Sequence, residues 1–265
     1  MDNFVSSVAA AYPHLKFYKV NNKQSAHAQE ELKFAGYSQA QLQDLQQVDQ
    51  TAYKDSLMRT LDSTRLLKKT FVDGKLPSWY KRPVMLFFYN LFSTGCCRQC
   101  FETDTLGWVE DYFTDEELLL FSKWRDARQV QSWGWTTENK GYRPRNVKGI
   151  LNNIIKDADA VIAGADTCAT LRFSHDTDIL PLMFLIGVEG ADWHGSYKHF
   201  SEHGHISHLM HMAGNLQFVF YKNADNEVIV KIMLNEEETV IPALKPDYKG
   251  LFYRWDKLRG YLLER

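Results

Sequence analysis

The sequence predicts an α/β fold, and three stretches carry this prediction. Ala169–Phe173 is short, apolar and β-prone, and a polar turn and a continuous apolar run follow it, as expected for a strand, a turn and a buried helix. Asn146–Ala163 precedes it with apolar residues at helical spacing. Gly214–Tyr221 and Val228–Leu234 alternate around a short polar turn, which is typical of a β-hairpin. Because helices and strands alternate along this half of the chain, an α/β core is favoured.

Helices dominate the predictions for the N-terminal half. Met1–Tyr12 has an amphipathic helical pattern, and Leu15–Val20 alternates as a strand does. Tyr37–Val48 and Tyr53–Thr70 have helical spacing, and Pro83–Phe92 is an aromatic and apolar helix that we expect to be buried.

The middle and the end of the chain carry further helix signals. Thr114 and Glu117 form the pattern of a capping box, which predicts a helix that runs to about Val130. Ser132–Arg145 contains two glycines and a proline, so we expect a loop there. A short helix that starts near Trp255 is predicted to close the chain.

Composition excludes several classes of protein. The 265 residues are 45% hydrophobic and 24% charged, and 31 basic against 33 acidic residues give a net charge of −2, which argues against a nucleic-acid-binding protein. No apolar stretch reaches the roughly 18 residues of a membrane span, so no membrane partner is expected. The N-terminus lacks the pattern of a secretory signal, which on its own favours a cytoplasmic location.

The cysteines and most of the histidines are expected to be structural. Cys96, Cys97, Cys100 and Cys168 fit no common zinc spacing, so we expect buried apolar thiols, with one oxidised pair as the alternative. Trp193–His211 is rich in histidine, but it lacks helical periodicity and a motif such as HExxH. We expect a surface or structural loop, no metal site and no cofactor, with a metal-binding loop as the alternative. The histidines of this stretch are His194, His199, His203, His205, His208 and His211.

The candidate site follows the predicted strand. His175 and Asp176 fall where ligands bind in open α/β sheets, at the carboxyl end of a strand, and the amides of the next helix favour an anion there. The alternative is purely structural: Ser174 or Asp176 caps the helix, and His175 is a satisfied histidine in a turn.

This stretch resembles the C-terminal half-site of the histidine acid phosphatases, clade 2 of the histidine phosphatase superfamily, which includes phytases and multiple inositol polyphosphate phosphatases. The proton-donor motif of that family reads His-Asp, or His-Ala-Glu in the inositol polyphosphate branch, and here it reads His175-Asp176. Asn215–Phe218 and Asn235–Glu238 are also similar to the family.

The resemblance implies an architecture. It is a phosphoglycerate-mutase-like mixed sheet flanked by helices, with an inserted all-α cap domain. Residues 1–20 and 141–265 then belong to the α/β core, and residues 21–140 form the mainly helical cap.

The resemblance also implies roles for the site residues. Asp176 is the general acid, His175 binds phosphate, and Thr177 helps to position the substrate. Separately, Arg143 and Arg145 lie in the predicted loop and are candidates to contact an anionic substrate, with solvated loop charges as the alternative.

The half of the expected site that carries the nucleophile is absent from this sequence. In the family an RHGxRxP motif supplies the nucleophilic histidine and two arginines, and no Arg-His pair occurs in this sequence. We therefore expect a C-terminal fragment that is inactive alone, with an inositol phosphate or similar phosphorylated small molecule and the missing N-terminal half as partners. The usual location of the family is periplasmic, secreted or lumenal. The alternatives are a non-catalytic module that binds a phosphorylated ligand or a protein, and a histidine-rich metal-binding protein.

Overall fold

The computed structural model describes residues 38–46, 48–96 and 109–265. The predicted helix Met1–Tyr12 and strand Leu15–Val20 lie outside these residues. Among the residues described, none of the helices is both long enough and apolar enough to cross a bilayer.

Short helices form the N-terminal part of the structure, and most of them match the predictions. The helix predicted for residues 53–70 is wrong as a single element, because it breaks into two. Asp62 accepts a hydrogen bond from the Arg65 amide at 2.9 Å and caps the second helix. An aspartate that binds the backbone in this way favours a helix start over a helix interior. The four helices are α1 (Gln39–Gln46), α2 (Thr51–Met58), α3 (Ser63–Thr70) and α4 (Val84–Gly95).

A capping box starts the longest described helix, α5 (Asp115–Trp133), directly after a 3₁₀ turn at Val109–Tyr112. The Glu117 amide donates to Thr114 Oγ1 at 3.3 Å, and the Thr114 amide donates to Glu117 Oε2 at 3.0 Å. The predicted capping box is therefore confirmed, and the helix continues past Val130.

One helical turn and one helix connect α5 to the candidate site, and a second helix begins there. α6 (Tyr142–Arg145) is a single turn, so the loop predicted for residues 132–145 is wrong at both of its ends. α7 (Lys148–Ile162) confirms the helix predicted from the apolar spacing of residues 146–163. α8 (Asp176–Ile186) is the predicted buried helix, and we refer to it as the central helix.

The central helix is packed on all sides. Every residue from Leu180 to Ile186 is buried, which removes a continuous apolar surface from water. Gly187 ends the helix in the left-handed conformation with φ +76°, as predicted for a C-terminal glycine. The side chains of Tyr261 and Arg265 donate to the last helical carbonyls, of Ile186 and Leu185, each at 2.9 Å.

The strand predicted for Ala169–Phe173 is wrong. This segment pairs with no strand among the described residues, and its side chains are exposed, with Leu171 at 59%. A β-prone composition indicates a preference for extended backbone, but a strand also needs a neighbouring strand with which to form hydrogen bonds.

The described sheet is small and antiparallel. Its strands are β1 (Leu216–Lys222), β2 (Val228–Leu234), β3 (Glu237–Thr239) and β4 (Phe252–Arg254). The strand β2 lies at the centre, pairing with β1 on one side, where Phe218 faces Ile232, and with β3 and β4 on the other, where Val230 faces Tyr253. The predicted hairpin is confirmed.

Three further helices complete the described residues. Two short ones, α9 (Phe200–His203) and α10 (Ile206–Leu209), precede the sheet. The closing helix α11 (Trp255–Leu263) packs against β4.

Two clusters of buried apolar side chains stabilise the described residues. The first cluster is largely aromatic and lies between α3, α4 and the first half of α5. The second cluster surrounds the central helix and includes α7, α11 and the inner face of the sheet. Helix α5 contributes to both, through Phe121 and Trp124 in the first and Ala127 and Val130 in the second.

Candidate functional site

His175 is the residue that immediately precedes the central helix. Its backbone is extended, with φ −95° and ψ 166°, and its side chain makes no capping hydrogen bond. Its carbonyl accepts hydrogen bonds from the amides of Asp178 at 3.0 Å and Ile179 at 3.2 Å. The turn therefore holds the backbone of His175 in place and leaves its imidazole outside this hydrogen bonding.

Two carboxylates accept hydrogen bonds within and next to the first turn of the central helix. Asp176 Oδ1 accepts from the Thr177 amide at 2.9 Å, and the Asp178 carboxylate accepts from the Ser174 hydroxyl. The structural alternative, in which Ser174 or Asp176 is the N-cap, is wrong, because His175 occupies that position. Several first-turn amides already have acceptors within the chain, so fewer of them are available to an anion than the sequence suggests.

The candidate side chains lie at the surface. His175 and Asp176 are exposed and Thr177 is half-buried, whereas the helix becomes fully buried from Leu180 onwards. A fixed backbone on a packed helix and exposed side chains at its start make this position accessible to a ligand. Among the described residues, however, no wall encloses it, and neither of the two cavities considered below includes it.

Arg172 anchors the segment that leads into the site, a role that no local sequence pattern indicates. Its Nη2 donates to Asn153 Oδ1 at 2.9 Å, and the same guanidinium forms an ion pair with Asp157 on α7. These partners lie 19 and 15 residues away in sequence, so no local pattern identifies them. The Arg172 guanidinium therefore binds to α7 and holds the preceding chain near the start of the central helix.

Arg143 and Arg145 stack on aromatic rings. The Arg143 guanidinium carbon lies 5.0 Å from the centre of the Trp133 ring, and that of Arg145 lies 5.1 Å from the Trp135 ring. Contacts of this kind are favourable cation–π interactions. No described hydrogen bond or ion pair connects either arginine with His175, so the substrate-binding role of Arg143, Arg145 and Thr177 stays a prediction.

Histidines of the 193–211 stretch pair with carboxylates. Among the described residues, no three His, Cys, Asp or Glu side chains are grouped so that they could hold a metal ion. The described residues therefore give the metal-binding alternative no support. The pairs are His199 with Glu202 and His203 with Asp192, each at 3.1 Å, and His205 with Asp126 at 2.7 Å.

The two described cysteines differ in their exposure. Cys168 is exposed, so the prediction of a buried apolar thiol is wrong at this position, and Cys96 is half-buried. Cys168 lies in the same exposed segment as Leu171, which the absence of strand pairing leaves in solvent. The predictions for Cys97 and Cys100 fall outside the described residues.

Comparison with known proteins gives similarity at the level of structure. No family model matches the sequence, and a search of curated proteins finds no match.

Two solved structures of a multiple inositol polyphosphate phosphatase from Bifidobacterium longum are similar to the chain. The complex with phosphate gives a TM-score of 0.62 at 17% identity and covers 92% of this chain. The complex with inositol hexasulfate gives 0.61 at 17% identity and covers 93%. In both cases the matched region is 59% of the length of the phosphatase.

An identity of 17% over almost the whole chain is evidence about fold. The predicted fold class is confirmed at that level: helices surround a small antiparallel sheet in an arrangement that is similar to that of this phosphatase. The chain is therefore similar in fold to the Bifidobacterium longum multiple inositol polyphosphate phosphatase, over a region that spans 59% of that protein.

Proposed function

We propose that this chain supplies the proton-donor half of a phosphomonoester hydrolase site of the histidine acid phosphatase type, phytase-like or inositol polyphosphate phosphatase-like. One observation carries the proposal. The His175-Asp176 pair lies exposed at the start of a buried helix, in a chain whose fold is similar to that of such a phosphatase.

The proposed chemistry divides between the two residues of the pair. In the first step a histidine nucleophile attacks phosphorus, the ester P–O bond breaks, and Asp176 gives its proton to the departing alkoxide. In the second step water attacks the phosphohistidine, the ionised Asp176 takes the proton of that water, and the P–N bond breaks. His175 donates a hydrogen bond to a phosphoryl oxygen throughout, and Thr177 positions the substrate.

The nucleophile must come from outside these residues. Because the 265 residues contain no Arg-His pair, we propose that an RHG-bearing segment supplies it together with the arginines that hold the phosphoryl oxygens. The exposed side chain of His175 is compatible with contact to such a segment. By itself the chain is then expected to be inactive, because removal of one member of a cooperating catalytic group costs orders of magnitude in rate.

The proposed substrate is a phosphorylated small molecule such as an inositol phosphate. The similar phosphatase was solved with phosphate and with inositol hexasulfate, and its name gives inositol polyphosphates as its substrates. We also propose the division into an α/β core (1–20 and 141–265) and a helical cap (21–140). The first cluster of aromatic side chains supports a separate helical unit, although α5 contributes to both clusters.

Asp176→Asn tests the general acid in the enzyme assembled with its RHG-bearing part. An asparagine cannot donate the required proton, so we expect kcat for an alkyl phosphate such as glycerol 2-phosphate to fall roughly 10²- to 10⁴-fold. With p-nitrophenyl phosphate, whose leaving group needs little protonation, the loss should be far smaller. Asp178→Asn is the matched control, since it removes the same charge from the same helical turn. Equal losses with both substrates would remove Asp176 from the acid role.

A non-catalytic module that binds a phosphorylated ligand is the second candidate, and the open position of His175 favours it. In this case the isolated chain binds inositol hexasulfate, and His175→Ala weakens the binding measured by calorimetry. No RHG-bearing partner then restores turnover. Turnover after complementation would reject this candidate in favour of the hydrolase.

A further inference from the structure

A cavity of about 280 Å³ lies between helices α2 and α5, and the function proposed above makes no use of it. Its apolar lining consists of Val48 and of the indole of Trp124, a buried side chain of the first cluster. The rest of the lining is mainly polar, and five side chains provide it: Gln50, Thr51, Lys54, Arg128 and Ser132.

Both charged residues that line this cavity are cations. Lys54 Nζ lies 3.6 Å from Oδ1 of its sequence neighbour Asp55, in a partly exposed pair of the kind that contributes little energy. The charge of Lys54 also interacts with the Asp49 carboxylate. Arg128 is exposed and has no ion pair or hydrogen bond within the described part of the chain.

Among the described residues the lining includes no carboxylate, although the nearby Asp49 carboxylate accepts a hydrogen bond from the amide of the lining residue Thr51 at 2.8 Å. A second cavity, near the hairpin, is lined by Glu227 as well as Lys222. In the first cavity both lining charges are positive, and Arg128 has no counter-charge among the described residues, so the cavity favours an anion on the side of Arg128.

Gln50 contributes an unsatisfied polar group to the same cavity. Its Oε1 is shielded from solvent and has no hydrogen-bond partner among the residues that the structure describes. A buried polar atom without a partner is unfavourable, so a ligand that supplies one gains stability. Rotation of the Gln50 side-chain amide by 180° exchanges the positions of its oxygen and nitrogen. Gln50 can therefore either donate a hydrogen bond to an anion or accept one from a hydroxyl.

We infer that this cavity binds a phosphoryl or sulfuryl group of an anionic small molecule, with Lys54 and Arg128 as the charged ligands. The guanidinium presents a planar fork that suits two oxygens of such a group, and the ammonium supplies a second point of charge. The hydroxyl of Ser132 and the amide of Gln50 complete the set of donors, whereas the Thr51 hydroxyl already binds the Asp49 carboxylate. The inference goes beyond the proposed function, because it concerns side chains of α2 and α5 and requires no turnover at His175.

Calorimetry with inositol hexasulfate, a ligand that a phosphatase does not hydrolyse, tests this inference on the full chain. We expect Arg128→Gln and Lys54→Gln each to weaken binding at least about tenfold, the loss of one charge-assisted contact. Lys123→Gln is the matched control, because it removes one positive charge from the same helix at a position outside the cavity lining, and it should change Kd less than about twofold. Arg128→Lys keeps the charge and should retain part of the affinity.

The outcomes separate this inference from the proposed function. Unchanged binding in both Arg128→Gln and Lys54→Gln overturns the cavity site, whatever His175→Ala does. If only the two cavity variants weaken binding, the cavity site is supported and the phosphate-binding role of His175 loses its support. Equal weakening by Lys123→Gln would also overturn the inference, since it would show a general effect of net charge.

Discussion

At the scale of single residues, Asn139 organises the turn that follows α5. It is fully buried, and its Oδ1 accepts from the amides of Thr136 at 3.1 Å and Gly141 at 2.8 Å. Its Nδ2 donates to the carbonyls of Gln131 at 3.0 Å and Gly134 at 2.9 Å. One side chain thus satisfies four backbone groups in a buried segment without regular structure, which is the condition for such a segment to be stable.

Replacing Asn139 by alanine should destabilise the protein strongly. Asn139→Ala leaves two amides and two carbonyls without partners inside the protein, and we expect the free energy of unfolding to fall by roughly 2–4 kcal/mol. Urea denaturation measures the loss. Asn152→Ala on the exposed side of α7 is the control and should change stability by no more than about 0.5 kcal/mol. Similar values for the two variants would show that the buried network contributes little.

The same turn contains a glycine that local conformation requires. Gly141 has φ +70°, and a Cβ there would lie 2.3 Å from the Trp135 ring. The sequence marks this stretch as irregular through its glycines and proline. It does not reveal that the side chains at 136 and 139 are buried, since Thr and Asn are more often exposed.

At the scale of elements, α5 depends on its first turn. Besides the capping box, Glu117 receives the guanidinium of Arg65 from α3, and its side chain is largely buried. One carboxylate thus caps α5 and connects it with α3. The sequence predicts the cap from four consecutive residues, whereas the ion pair joins positions 52 apart and follows only from the tertiary structure.

Thr114→Ala should destabilise the protein by about 1 kcal/mol, because the Glu117 amide loses its acceptor at the helix N-terminus. Thermal and urea unfolding followed by circular dichroism measure the change. Thr167→Ala, at an exposed position outside the helices, removes the same hydroxyl and methyl groups and should be nearly neutral. A loss in Thr114→Ala no larger than in this control would contradict the role of the cap.

The elements differ in how well the sequence predicts them. α5, α7 and the central helix have local signals, namely apolar spacing, a capping box and a C-terminal glycine, and all three are confirmed. The strand expected at Ala169–Phe173 fails, because a strand depends on a partner that local sequence does not specify. The hairpin succeeds, because its two strands are adjacent in sequence and pair with each other.

At the scale of the whole molecule, Glu138 connects the turn after α5 with the 193–211 stretch. Its carboxylate accepts hydrogen bonds from the Ser196 hydroxyl, the Tyr197 amide at 3.3 Å and the Thr137 hydroxyl at 3.1 Å. Partial burial raises the pKa of Glu138, but the hydrogen bonds, led by that from Ser196, outweigh it and hold the pKa below the ordinary value. The ionised form is therefore the one that the folded protein stabilises.

The sign of the pH dependence follows from this lowered pKa. The contribution of Glu138 is fully present above the ordinary carboxyl pKa of 4.5 and is lost as the pH falls through the lower value of the folded state. We expect Glu138→Gln to be roughly 0.5 kcal/mol less stable at pH 7, since the group is half-exposed, and to lose less stability than the wild type between pH 5 and pH 3. Urea midpoints at several pH values measure this. Exposed Glu264→Gln is the control, and parallel pH profiles for Glu138→Gln and the wild type would refute the prediction.

The sequence by itself determined the features of this protein that depend on neighbouring residues. These are the positions of the main helices, the hairpin, the capping box, the end of the central helix at Gly187 and the His175-Asp176 motif with the fold class it implies. Each has a physical cause within a few residues, such as apolar periodicity, a side chain that binds a nearby amide, or a backbone conformation that glycine adopts most easily.

Only the tertiary structure decided which side chains are exposed or already bound. It shows that His175 and Asp176 lie in solvent at the start of a buried helix, and that Arg172 is held by α7. It also shows that Arg143 and Arg145 stack on tryptophans. In addition, it shows that Lys54 and Arg128 line the same cavity. These contacts join positions far apart in the chain, and their energies depend on burial and distance, which a linear sequence does not contain.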